Sequence, residues 1–211
     1  MTKSTGLSSI ASGRSDIHQI DPKLLKVRTN WNSRDFNLTE NKEHVEFLAG
    51  SIAKVGIKQP LTVIWENGQA WIIDGECRWR AAMLAIEHGA PLKTVPCKAA
   101  ERYANEADQL FTQWLANTGK QFNAIETARH FKRLLDMGWQ QTDIADKAGK
   151  TQGWVSQILS VLNAPVPVQT MIANGEVSST LAMQVVREEG TDAEKVLKEG
   201  LENAKKEGKS K

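Results

Sequence analysis

The chain has 211 residues, of which 40% are apolar and 25% charged, with a formal net charge of +2. That length holds one large domain or two small ones, no apolar run approaches the ~20 residues that span a bilayer, and the charge is too small to argue nucleic-acid binding without local placement. Two cysteines, Cys77 and Cys97, and four scattered histidines offer neither a disulfide framework nor metal-ligand spacing, so a reduced cytoplasmic protein is expected.

In chain order, residues 1–16 are small and polar and read as a disordered tail without the apolar segment of a secretory signal. Alternating apolar positions from Ile17 to Val27 suggest a first strand. From Asn41 a helical period places Val45, Leu48, Ile52 and Val55 on one face, with Gly56 as the stop. Strands over 61–65 and 70–73 flank Asn67-Gly68, the dipeptide preferred where both turn residues need positive φ. A helix follows Gly75 and ends near His88, and residues 95–99 form a last short strand. Beyond Ala99 the pattern is almost wholly helical. Asn123 with Glu126 three residues on is a capping-box signature, and Gly138 closes that helix. From Thr191 the chain mixes Lys and Glu, which fits a charged helix or a frayed tail.

Two segments carry chemistry. In Asp74-Gly75-Glu76-Cys77-Arg78-Trp79-Arg80, a hairpin runs through a glycine turn into a helix with two arginines near its start. Helix N–H groups and the dipole favour an anion there, and guanidinium forks suit phosphate oxygens. The plainer alternative is that Arg78 and Arg80 pair with nearby carboxylates. From Gln141 to Ser160 the spacing is that of a helix-turn-helix. Ile144, Ala145 and Ala148 face inward, Gly149 makes the turn, and Val155, Ile158 and Leu159 are the buried face of the second helix. Its outer face offers Thr151, Gln152, Ser156, Gln157 and Ser160 to base edges, with Lys147 and Lys150 placed for phosphates. Here the alternative is a helical hairpin with a solvated polar face.

In this order the pieces resemble the ParB partition-protein family. The run from Ser51-Ile52 through Val55-Gly56-Ile57-Lys58-Gln59-Pro60-Leu61-Thr62-Val63 is similar to the family's first box. Residues Gly75-Glu76-Cys77-Arg78-Trp79-Arg80-Ala81-Ala82 are similar to its arginine box, with Cys77 where the first of the paired arginines stands. Downstream, Val161-Leu162, Pro165, Gln169, Ile172, Gly175 and Ala182 echo its later helices. The resemblance implies an α+β fold, with a small ParB/sulfiredoxin-like α/β domain followed by an all-helical helix-turn-helix domain. Expected boundaries are 17–116 for the first domain, 117–190 for the second and 191–211 for a charged tail.

The resemblance also implies a function: a site-specific DNA-binding protein for plasmid, phage or chromosome partition. CTP with Mg2+ would switch it into a nucleotide-dependent homodimer that clamps DNA, and a partition ATPase would be its partner. Carried over by position, Gln59 and Pro60 border the nucleotide, and Gly75, Glu76, Arg78 and Arg80 hold its phosphates. The family's third box is degraded to Ala116-Asn117-Thr118-Gly119-Lys120, where Asn117 would help hold nucleotide and metal and Lys120 would partly replace an arginine. The glutamate associated with hydrolysis is not found, which leaves turnover open, and the stripe Val196, Leu197 and Leu201 is small for a permanent dimer. Two other readings stand beside this one. The first is a transcriptional repressor with a ligand-sensing domain. The second is an enzyme on the ParB/sulfiredoxin scaffold: either a sulfiredoxin-like thiol at Cys77, stabilised beside Arg78 but without sulfiredoxin's histidine, or a nucleotide hydrolase, nuclease or kinase, the last two without an independent carboxylate cluster.

Overall fold

A computed structural model describes residues 17–29, 31–100, 105–116 and 120–206. Contacts divide these into two compact units, one of residues 17–29 and 43–100 and the other of residues 31–42, 105–116 and 120–206. The expectations for the tail of residues 1–16, for Asn117 and for the last five residues lie outside the described residues. No described helix is long and apolar enough to cross a membrane.

The first unit is built on five strands: β1 (Ile17–Ile20), β2 (Leu25–Val27), β3 (Leu61–Glu66), β4 (Gln69–Asp74) and β5 (Val95–Ala99). They lie in the order β1-β5-β3-β4-β2. The single strand expected over 17–27 is interrupted: Asp21 caps a 3-10 turn at Pro22–Leu24, so the chain leaves one sheet edge as β1 and re-enters at the other as β2. Proline at the first turn position has no N–H to lose there. The β3–β4 hairpin turns at Asn67 (φ 52°) and Gly68 (φ 75°), as the dipeptide demands. Its register shifts between Thr62 and Val63, so that Thr62 pairs with Asp74 but Val63 with Ile72. Ile73 is thus the extra residue of a bulge, which explains why consecutive Ile72 and Ile73 are both buried. The bulge also sets the direction in which Asp74 leaves the sheet.

Residues 43–55 of α1 (Thr39–Val55) and all of α2 (Glu76–Glu87) complete this unit. Ala49 and Ile52 of α1 and Ala81, Ala82 and Ala85 of α2 share one apolar core with Leu61, Val63, Ile72 and Val95. The three alanines bring the α2 backbone close to its neighbours, and Trp79 Nε1 donates to the Pro22 carbonyl at 2.8 Å. Cys97 is wholly buried in the core, and burial pushes its thiol up to about 11, so it is inert.

The second unit is helical: α3 (Glu106–Ala116), α4 (Ala124–Asp136), α5 (Gln141–Ala148), α6 (Gln152–Ser160), α7 (Val166–Ala173), α8 (Ser179–Glu189) and α9 (Ala193–Lys206). At the start of α4 the capping box is complete. Asn123 Oδ1 accepts from the Glu126 N–H at 2.8 Å, and Glu126 Oε2 accepts from the Asn123 N–H at 3.0 Å. The buried Glu126 does more than cap. Its Oε1 accepts from the Asp35 N–H at 2.9 Å and from Asn41 Nδ2 at 2.8 Å, so one carboxylate ties residues 35–41 to α4.

Three further contacts extend that tie. Ser33 Oγ meets His130 Nδ1 at 2.9 Å, Arg34 Nη1 donates to Asn41 Oδ1 at 3.2 Å, and Arg133 bonds the Trp31 carbonyl. His130 Nε2 lies 2.8 Å from the Leu110 carbonyl, which only accepts, so Nε2 carries the proton and Nδ1 receives the Ser33 hydroxyl. The charged stretch expected as a helix or tail after Thr191 is a packed helix, with Ala193 and Leu197 buried against Val168, Ile172 and Ala182.

Candidate functional site

In the first unit, β4 delivers Asp74 to the head of α2, and Gly75 makes the turn with φ 98° as the N-cap. Glycine is required there for two reasons. Only glycine adopts that φ without strain, and a Cβ would lie 2.6 Å from Leu61 Cδ2 and 3.1 Å from Arg78 Nη2. Having no side chain, this cap leaves the end of the helix open.

The four charged groups at this mouth pair among themselves. Arg78 Nη2 donates to Asp74 Oδ2 at 2.9 Å, while its Nη1 donates to the Gln59 carbonyl at 2.5 Å and the Pro60 carbonyl at 2.9 Å. Arg80 Nε donates to Glu76 Oε1 at 2.8 Å, with Nη2 2.7 Å from the same oxygen. Gln59, Pro60, Gly75, Glu76, Arg78 and Arg80 are therefore brought together at this mouth. Their states differ, however, from a set of cations facing outward. Arg78 staples the strand-entry loop to the hairpin end, using carbonyls whose positions the sequence does not reveal. Glu76 is buried, and a carboxylate repels phosphate, so its observed work is to hold Arg80. The Arg80 side chain stays 42% exposed and is the better placed of the two to meet an anion. Cys77, in the same turn, is half-buried.

Asn117 lies outside the described residues. Lys120 belongs to the second unit, where its Nζ donates to the Glu40 carbonyl at 2.8 Å and meets Glu40 Oε1 at 3.0 Å. Among the described residues no group of three or more His, Cys, Asp or Glu side chains is placed to hold a metal ion.

In the second unit the helix-turn-helix stands where the spacing predicts it. Ile144 and Ala145 are buried on α5, Gly149 turns the chain at φ 63°, and Val155 is wholly buried on α6. Its outer side chains fall into two groups. Gln152, Ser156 and Gln157 are exposed. Thr151 is exposed too, but its oxygen caps α6 by accepting from the Trp154 N–H at 3.1 Å. Ser160 is half-buried, and its hydroxyl donates to the Gln157 carbonyl at 2.7 Å. The two lysines of the motif lie over indole rings, Lys147 4.9 Å from the Trp139 ring centre and Lys150 5.6 Å from that of Trp154. Such contacts keep an ammonium near the surface while its stem packs. A residue outside the motif also reaches this face: Thr180, exposed in the first turn of α8, lies with its Oγ1 3.3 Å from Gln157 Nε2.

Comparison with known proteins agrees with both halves. The model of the ParB N-terminal domain matches residues 9–109, and that of the ParB HTH domain matches residues 120–206. The chromosome-partitioning protein Spo0J of Thermus thermophilus is 30% identical over 162 residues, covering 76% of this chain and 58% of the relative. A probable chromosome-partitioning protein ParB of Treponema pallidum is 27% identical over 172 residues, covering 80% of this chain and 50% of the relative. The chain thus spans about half the length of the curated relatives it matches. Among solved structures, the C-terminally truncated chromosome-partitioning protein ParB of Caulobacter crescentus, complexed to the centromeric parS site, superposes with a TM-score of 0.55. It shares 24% identity over 89% of this chain and 92% of that one, a likeness of fold.

Proposed function

The chain belongs to the ParB family, and from that premise we propose that it is a site-specific DNA-binding protein for partition of a plasmid, phage or chromosome, switched by CTP at the mouth of α2. The observation that carries this reading is a preformed reading helix, with Gln152, Ser156 and Gln157 exposed, in a chain that also holds a glycine-capped helix mouth flanked by arginines. The two features need different ligands. Glutamine and serine side chains on a second helix suit base edges in a major groove. An open helix N-terminus beside a guanidinium suits phosphate.

The local charge bears on the cation. Asp74 and Glu76 offset Arg78 and Arg80, so the mouth as it stands has little net positive charge to set against a triphosphate. Both carboxylates are held by arginines, so a Mg2+ ion would be carried chiefly by the phosphates, lowering their charge. Arg80 would turn from Glu76 to the nucleotide. Two copies closing around duplex on nucleotide binding, a partition ATPase as partner and a place on the nucleoid or plasmid in the cytoplasm complete the reading.

Titration of each of the four nucleoside triphosphates with Mg2+ tests it. CTP should bind best, and Arg80→Ala should weaken it roughly tenfold or more, the worth of a charge-assisted contact, while sequence-specific DNA binding persists. Unchanged CTP affinity in Arg80→Ala would refute the pocket assignment. Binding of no nucleotide by the parent protein would favour a repressor that senses another ligand.

A further inference from the structure

Gln157 is the one exposed α6 side chain bonded to a neighbouring helix among the contacts described above. We propose that Thr180 is a positioning residue for base recognition: its hydroxyl holds the Gln157 amide in the orientation that reads an adenine in the major groove. This inference rests on the DNA-reading role proposed above and adds to it a residue 23 positions beyond Gln157, outside the helix-turn-helix.

The argument starts from what a glutamine brings to a base. Its amide has two N–H donors and one carbonyl acceptor, and adenine presents N7 as acceptor and the N6 amino group as donor. A bidentate contact therefore uses one N–H and the carbonyl oxygen, leaving one N–H over. In the structure one N–H of Nε2 already donates to Thr180 Oγ1 at 3.3 Å. The other N–H and Oε1 remain, which is the pair adenine requires. A loose glutamine also gives up rotamer freedom on docking. Thr180 restricts that freedom beforehand.

The local structure keeps Thr180 in place. Ser178 caps α8, its Oγ accepting from the Leu181 N–H at 3.2 Å. Ala182, two residues beyond Thr180, is wholly buried in the core shared with Val161, Val168 and Ala193. The helix start that carries Thr180 is thus anchored to the same core as the turn after α6. Thr180 itself is exposed, so its substitution removes a hydroxyl without opening a cavity.

The test uses the full chain and two duplexes: one selected by the wild-type protein from a random-sequence library, and a scrambled version of it. Thr180→Val keeps the shape and loses the hydroxyl, while Thr180→Ser keeps the hydroxyl. Thr180→Val should weaken binding to the selected duplex roughly three- to tenfold, the usual range for one lost hydrogen bond. Affinity for the scrambled duplex and thermal melting should stay as in the wild type, and Thr180→Ser should restore binding. In a Gln157→Ala background Thr180→Val should add nothing, because the group it positions is gone.

Equal loss on both duplexes, full additivity of the two changes, or a Thr180→Val protein with wild-type preference would overturn the positioning role while leaving the reader assignment standing. A wild-type protein that selects no sequence at all would overturn the reader itself.

Discussion

The helix mouth of the first unit and the reading face of the second follow opposite plans. At the mouth, Arg78 and Arg80 are already paired with Asp74 and Glu76, and the four charges cancel. On α6, Gln152, Ser156 and Gln157 stand exposed with their buried neighbours fixed in the core. A phosphate ligand entering the first, as proposed, would compete with those internal bonds, coupling binding to rearrangement. A duplex docking on the second, as proposed, would find side chains facing outward from the start. That contrast suits a switch in one unit and a constant reader in the other.

The contrast can be broken experimentally, first by pH. Burial pushes His130 down to about 4 from the ordinary 6.5, against the partial support of its bond to the Leu110 carbonyl. The folded histidine stays neutral where the unfolded one gains a proton, so stability is full above pH 6.5 and falls as pH drops from there towards 4. The loss should reach about 3 kcal/mol. It should appear in the urea transition of the second unit and flatten in His130→Gln, whereas the first unit buries no histidine among its described residues.

Gly75→Ala attacks the other side. The left-handed φ and the 2.6 Å approach to Leu61 Cδ2 should cost the first unit about 2–3 kcal/mol, with the second transition unmoved. A smaller change sharpens the reader: Gln157→Ala should lose ~1–3 kcal/mol on the selected duplex and nothing on a scrambled one. The smallest is Lys150→Ala, which should weaken every duplex alike and lower the salt slope by about one. A sequence-dependent loss there would move Lys150 from phosphate to base.

What the sequence reveals follows from the range of each interaction. Asn67-Gly68, the Asn123–Glu126 capping box and Gly149 are local rules, and the structure obeys each of them. The inward faces of α5 and α6 follow from a helical period. The partners of Arg78 are a different matter, since the Gln59 and Pro60 carbonyls reach it only once β3 and β4 are paired. Residues 31–42 belong to the second unit through Ser33, Arg34, Asp35 and Asn41, whose partners on α4 lie 85–97 positions away in the cases of Asn41, Asp35 and Ser33. No periodicity encodes such contacts. Nothing in the sequence marks His130 among the four scattered histidines for the same reason, because burial at 0% exposure is a property of packing and not of its neighbours in sequence. After Thr191 the narrow apolar stripe leaves a charged helix and a frayed tail equally open in the sequence, yet Ala193 and Leu197 suffice to dock the helix.

The central claim is that nucleotide at the mouth of α2 governs how the reader holds duplex. Retention of the protein on closed circular DNA carrying its selected site, washed with and without CTP and Mg2+, tests this most directly. The account predicts salt-resistant retention that requires CTP, vanishes when the circle is cut, and is lost in Arg80→Ala. Retention that is the same with and without CTP, or unaffected by linearisation, would contradict it.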